Sequence, residues 1–130
     1  FHYFPKIMEF LESIYQKYSS KKFVVLAFPT NSFGCEPSST AVIKTKYSKY
    51  VTFPVFLPVR VNGRKASPIF SFLSQALPGL SNVCAIRWNF EIFLTDENGC
   101  PVRRCPPTEP VTSLDVIIER MIEKRDRCAL

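Results

Sequence analysis

Six apolar residues in unbroken succession, Phe23-Val24-Val25-Leu26-Ala27-Phe28, constrain this chain more than any other feature. A run of that length, rich in β-branched and aromatic side chains, reads as a strand buried on both faces, as in a parallel sheet. A helix predicted over residues 5–19 leads into it. Pro5 suits a first-turn position, and Ile7, Phe10, Leu11, Ile14 and Tyr18 recur at helical spacing. A helix feeding such a strand is half of a βαβ unit, so the chain is expected to be α/β. The following segment, Phe28-Pro29-Thr30-Asn31-Ser32-Phe33-Gly34, breaks regular structure, and a short helix is predicted from about Ser39 to Tyr47.

Val51 to Val61 is extended but interrupted by Pro54 and Pro58, which confines it to a sheet edge or an irregular crossing. Ser67-Pro68 is a cap and first-turn pair for a helix that Pro78-Gly79 stops. Trp88 to Thr95 is predicted as a strand, Asp96-Glu97-Asn98-Gly99 as a hairpin turn, and Pro101 to Cys105 as the returning strand. Ser113 then opens a last helix with Leu114, Ile117, Ile118, Met121 and Ile122 on one side.

At 130 residues the chain has room for one domain, assigned to 1–130. Its 14% aromatic content excludes intrinsic disorder, and its apolar runs are far shorter than the roughly 18 residues of a membrane helix. The formal charge is +6, from basic residues scattered through Lys44/Lys46/Lys49, Arg60/Arg64/Lys65, Arg103/Arg104 and Arg120/Lys124/Arg125/Arg127. These read as solvated faces, the alternative being a patch that meets an anionic lipid surface or small molecule. Without a nucleic-acid-binding signature, no nucleic acid partner is expected. Five cysteines cannot form a complete disulfide framework, and with no Cys-x-x-Cys pair and one histidine, His2, no metal site is expected. This cysteine usage suits a reducing compartment, hence a cytoplasmic location. The chain begins at Phe1, not Met, so it is read as starting downstream of the natural initiation site.

Three stretches resemble one family. Val25-Leu26-Ala27-Phe28-Pro29-Thr30-Asn31-Ser32-Phe33-Gly34 is similar to the V-L-A-F-P-C-N-Q-F-G signature of glutathione peroxidases. Val61-Asn62-Gly63-Arg64-Lys65-Ala66-Ser67-Pro68-Ile69-Phe70-Ser71-Phe72-Leu73 resembles the family's V-N-G-x-x-A-x-P-x-[FY]-x-F-L segment. Ile86-Arg87-Trp88-Asn89-Phe90-Glu91-Ile92-Phe93-Leu94 resembles its I-[RK]-W-N-F-x-K-F-L strand. The likeness runs from about Tyr3 to Ile122. It implies a thioredoxin-like fold, with a mixed central sheet flanked by helices but lacking the N-terminal nucleophile-bearing strand. The chain is thus identified as an N-terminally incomplete member.

The resemblance also implies an activity: thiol-dependent reduction of hydrogen peroxide or of lipid and other organic hydroperoxides, as in the oxidative stress response. The partners are the small-molecule hydroperoxide and a thiol reductant, glutathione or thioredoxin serving as co-substrate, with no bound cofactor. In the family a selenolate or thiolate attacks the peroxide, because the anion is the nucleophile. A Gln, a Trp and an Asn around it donate hydrogen bonds. Trp88 and Asn89 match the Trp-Asn pair, and both side chains carry N–H donors.

The departures are as informative. No cysteine aligns with the nucleophile, whose segment falls ahead of Tyr3. Phe33-Gly34-Cys35-Glu36-Pro37 contains no Gln, Thr30 replaces a common Cys, and Lys44 stands where thioredoxin-using members carry a resolving Cys. Cys35 is the one thiol near the expected site and is the remaining catalytic candidate. No substrate-binding residue is assigned. Ten residues separate Leu77 from Trp88, which resembles the short-loop, phospholipid-hydroperoxide branch and implies a monomer. The other reading of the same residues is a catalytically inactive paralogue serving as a binding or interaction module.

Overall fold

The computed structural model describes residues 3–34, 37 and 39–130. Helix α1 (Tyr3–Tyr18) is followed by a 3-10 turn, and α2 (Thr40–Ser48) and α3 (Pro68–Ala76) come next. A hairpin of β1 (Ile92–Thr95) and β2 (Pro101–Cys105) precedes α4 (Ser113–Cys128). The helices therefore lie where their apolar spacing predicts. The predicted cap of α3 is only partly realised. Ser67 occupies the cap position and its carbonyl accepts from the Ser71 N–H at 3.0 Å, but its hydroxyl caps nothing.

Helix α1 is shared between two apolar clusters. Its first half, with Phe4, Ile7 and Met8, packs against Ile43 and Tyr47 of α2 and against Val51 and Phe53. Its second half, with Ile14 and Tyr18, packs against Cys105 and against Leu114, Ile118 and Ile122 of α4. Asp115 in the first turn of α4 and Arg125 and Arg127 in its last complement the helix dipole.

The strands depart from expectation. The 23–28 run is not a two-sided buried strand: Val25 and Ala27 pack on the first cluster, while Val24 and Leu26 are half exposed. Its ladder is a single parallel bridge, Ala27 to Val55, made by the Ala27 N–H to the Pro54 carbonyl (3.0 Å) and the Phe56 N–H to the Ala27 carbonyl (2.9 Å). Pro54 and Pro58 have no N–H to extend it. The 88–95 strand is also shorter than predicted, because Phe90 is left-handed (φ 65°) and regular pairing begins at Ile92.

From there β1 pairs antiparallel with β2, Ile92 opposite Cys105, Phe93 opposite Arg104 and Leu94 opposite Arg103, before a bulge sets Thr95 opposite Pro101. Asp96 Oδ1 closes the turn by accepting from the N–H groups of Asn98 and Cys100, each at 2.9 Å. Among the described residues the expected mixed sheet is thus present as two separate pieces, a parallel bridge and an antiparallel hairpin. Between them lies an open slot of about 920 Å³, lined on one side by Val24 to Phe28 and on the other by β1.

Candidate functional site

The site candidates gather around this slot. Trp88 and Asn89 line it together with Pro29, Thr30 and Phe33. All three family-like stretches, far apart in sequence, therefore converge on the slot, the second through Val61, Ile69 and Phe70. Trp88 is 55% exposed. Its ring leans on Phe33, with centroids 5.6 Å apart at 43°. Among the described residues neither the Trp88 indole N–H nor the Asn89 amide takes part in a hydrogen bond, so both donors are available to a ligand.

The backbone that aims this pair is unusual. Phe90, directly after Asn89, holds the left-handed conformation that bulky side chains avoid, at a cost on the order of 1–3 kcal/mol. Its packing keeps it there: the Phe90 ring meets Tyr3 at 6.4 Å and Phe4 at 6.0 Å. On the other side of the pair, Asn62 brackets Ile86. Its amide donates to the Ile86 carbonyl at 2.6 Å and its carbonyl accepts from the Ile86 N–H at 2.9 Å. Thr30, standing where a cysteine is common, is buried. Its hydroxyl donates to the Ser32 hydroxyl at 2.9 Å and accepts from the Ser32 N–H at 3.2 Å, which fixes the turn leading to Phe33.

Cys35, the displaced thiol candidate, lies outside the described residues. Of the other cysteines, Cys84, Cys100 and Cys128 are exposed and Cys105 is buried. Burial pushes the Cys105 thiol up, against the opposing hydrogen bond from Arg103, so it is poorly suited to supply a thiolate. Among the described residues no group of three or more His, Cys, Asp or Glu side chains could hold a metal ion, and no helix is long and apolar enough to cross a membrane.

Sequence reasoning missed Phe90, Asn62 and Arg104. Asn62 sits inside the V-N-G stretch, which could have flagged it. Contrary to what its place in the sequence suggests, Arg104 is not one of the solvated basic residues: its side chain is 5% exposed and ion-paired to Glu91, itself 7% exposed. Nothing in its neighbours Arg103 and Cys105 signals this.

The comparisons with known proteins bear on the same residues. The sequence model described as glutathione peroxidase matches residues 5–74, more than half of the chain. The chain belongs to the glutathione peroxidase family. It is 40% identical over 118 residues to a Saccharomyces cerevisiae protein named glutathione peroxidase-like peroxiredoxin 2, covering 88% of this chain and 72% of that one. A chloroplastic phospholipid hydroperoxide glutathione peroxidase 1 of Arabidopsis thaliana is 38% identical over 117 residues, covering 86% and 48%. Among solved structures, one described as Trgpx in apo form superposes with a TM-score of 0.71 at 34% identity, covering 87% of this chain and 68% of that one. As a glutathione peroxidase family member the chain is thioredoxin-like, with the central sheet divided as described above.

Proposed function

We propose that this glutathione peroxidase family chain supplies the hydrogen-bonding half of a site for thiol-dependent reduction of hydrogen peroxide or organic hydroperoxides. In that reaction a chalcogenolate attacks one peroxide oxygen and the O–O bond breaks. The departing oxygen leaves as water or an alcohol after taking a proton. Two equivalents of thiol, from glutathione or thioredoxin, then reduce the oxidised sulfur or selenium, yielding a disulfide and water.

Trp88 and Asn89 are assigned to donate hydrogen bonds to the chalcogenolate and to the oxygen accumulating charge. The observation that carries this reading is their joint position on the slot with both N–H donors unengaged among the described residues. Donors held in place before charge develops are the efficient kind.

The short connection between Leu77 and Trp88 supports a monomer, and a discrete tetramer by light scattering at micromolar concentration would refute it. The exposed Cys84, Cys100 and Cys128 support a reducing, cytoplasmic environment, which intermolecular disulfides in the native protein would contradict. The basic side chains are assigned to an anionic lipid surface, tested by binding to vesicles with and without acidic lipid. Arg104 is withdrawn from it by burial.

Donors without a nucleophile do not turn over peroxide, and no cysteine here aligns with the family's. The 130-residue chain is therefore expected to show no appreciable peroxidase activity in a coupled assay. Turnover near that of an intact family member, abolished by Cys35→Ser, would overturn this and promote Cys35 to nucleophile. In a form of the protein that carries the family's nucleophile, Trp88→Phe and Asn89→Ala are each expected to lower kcat/KM by about 100- to 1,000-fold, the effect of losing a donor to developing charge. Unchanged kcat/KM in both variants would remove the pair from the site.

A further inference from the structure

The connection from α3 to β1, residues 77–91, carries Trp88 and Asn89 but contains only one 3-10 turn, at Leu80–Asn82. Ser81 and Asn82 are left-handed there, as is Phe90 further on. Its own backbone closes only a small loop, through the Gly79 N–H to the Val83 carbonyl at 2.8 Å and the Asn82 N–H to the Gly79 carbonyl at 3.1 Å. A segment with so few bonds of its own is set by what reaches it from outside.

Asn62 reaches it at Ile86 alone, and the rest is held by one guanidinium. Arg104, on β2, donates from Nη1 to the carbonyls of Leu77 (3.0 Å) and Cys84 (2.9 Å), and from Nη2 to that of Ala85 (3.0 Å). Its Nε donates to the Glu91 carboxylate. These partners span the beginning, middle and end of the connection. The guanidinium also lies over the Phe93 ring, 5.1 Å from its centroid. Gly79 leaves the room it needs: a Cβ there would stand 3.2 Å from the Arg104 Cζ. Only a planar fork of five N–H donors can satisfy such a divergent set of acceptors, and an ammonium cannot.

We propose that Arg104, held by Glu91, is the positioning residue of the Trp88–Asn89 pair. It locks both ends of the 77–91 connection and thereby, together with the packing of Phe90 on Tyr3 and Phe4, keeps that residue in its left-handed turn and the two donors aimed at the slot. This rests on reading Trp88 and Asn89 as the site.

Trp88 is the one tryptophan of the chain, so its emission reports the site without any turnover. In the 130-residue chain Arg104→Lys keeps the charge and loses the fork. Well below the thermal midpoint it is expected to red-shift Trp88 emission with the far-UV circular dichroism unchanged. The acrylamide quenching constant should rise about 1.5-fold, a modest figure because the ring is already 55% exposed. Glu91→Gln, which leaves the three carbonyl contacts, is expected to give a smaller rise. Ile122→Val, a truncation in the second cluster, serves as a control that lowers stability and leaves quenching unchanged.

Unaltered emission and quenching in both site variants would overturn the proposal. So would simultaneous loss of all structure in both, which would assign the ion pair to global folding. If only Arg104→Lys fails to fold, Glu91→Gln decides. Because no activity is read, failure of the peroxidase assignment would show in the Trp88→Phe and Asn89→Ala kinetics and leave this result standing.

Discussion

Asp115 shows how much a single residue holds between the two long helices. Its carboxylate accepts from the buried Tyr18 hydroxyl at 2.5 Å and from the Lys17 ammonium at 3.0 Å. The Tyr18 hydrogen bond, and then that of Lys17, keep its carboxyl below the usual range. Glu109 is lowered in the same way, first by Arg103. For Glu12 burial pushes upward, but hydrogen bonds from Thr52 and Gln16 outweigh it and the net shift is downward. Each group binds its proton more weakly folded than unfolded. Their contribution is therefore complete above the unfolded carboxylate values near 4 and is lost as pH falls through the lower folded ones. Stability should decline from about pH 5 downward. Tyr18→Phe removes the leading hydrogen bond to Asp115 and is expected to cost about 1 kcal/mol at pH 7, roughly 4 °C in Tm. It should also make the acid decline shallower. Thermal melts at pH 7 and pH 4 check this, and parallel pH dependences in parent and variant would show that Asp115 is not coupled to Tyr18.

At the scale of elements, legibility follows the range of the forces involved. Helices α1, α3 and α4 could be read because the 3.6-residue recurrence of Ile7, Ile14 and Tyr18, or of Leu114, Ile118 and Ile122, is a local property of the chain. The Asp96 to Gly99 turn was equally legible, since Asp96 bonds its own next residues and Gly99 takes φ 78°. The strand of 23–28 was misjudged because a continuous apolar run states that it can be buried, not which neighbour buries it. Val24 and Leu26 are half exposed, while Val25 and Ala27 pack against the core. The start of β1 was set too early because alternation from Trp88 onward looks strand-like. Tertiary packing of Phe90 on Tyr3 and Phe4 overrides it. Trp88 and Asn89 came from resemblance alone, and no periodicity marks them. Arg104 was illegible because its acceptors lie 13 to 27 residues back along the chain.

At the scale of the whole molecule, the slot decides how the chain behaves. Every strand has two edges, and here one edge of β1 is paired with β2 while 23–28 meets Val55 through a single bridge. Their remaining edges face the slot and have no ladder partner among the described residues. Half-exposed Val24 and Leu26 add apolar surface beside those edges. Each backbone group there that lacks a partner and is also denied water costs about 1–3 kcal/mol, against a total stability of about 5–15 kcal/mol for a domain. A few of them consume much of that margin. Unpaired edges beside apolar side chains also template association between chains. The 130-residue chain is therefore expected to unfold below roughly 60 °C and to aggregate as its concentration is raised. Thermal circular dichroism at two concentrations, with light scattering recorded alongside, measures both. A reversible, cooperative transition above roughly 60 °C, independent of concentration, would mean that the slot has closed and the two edges have found partners.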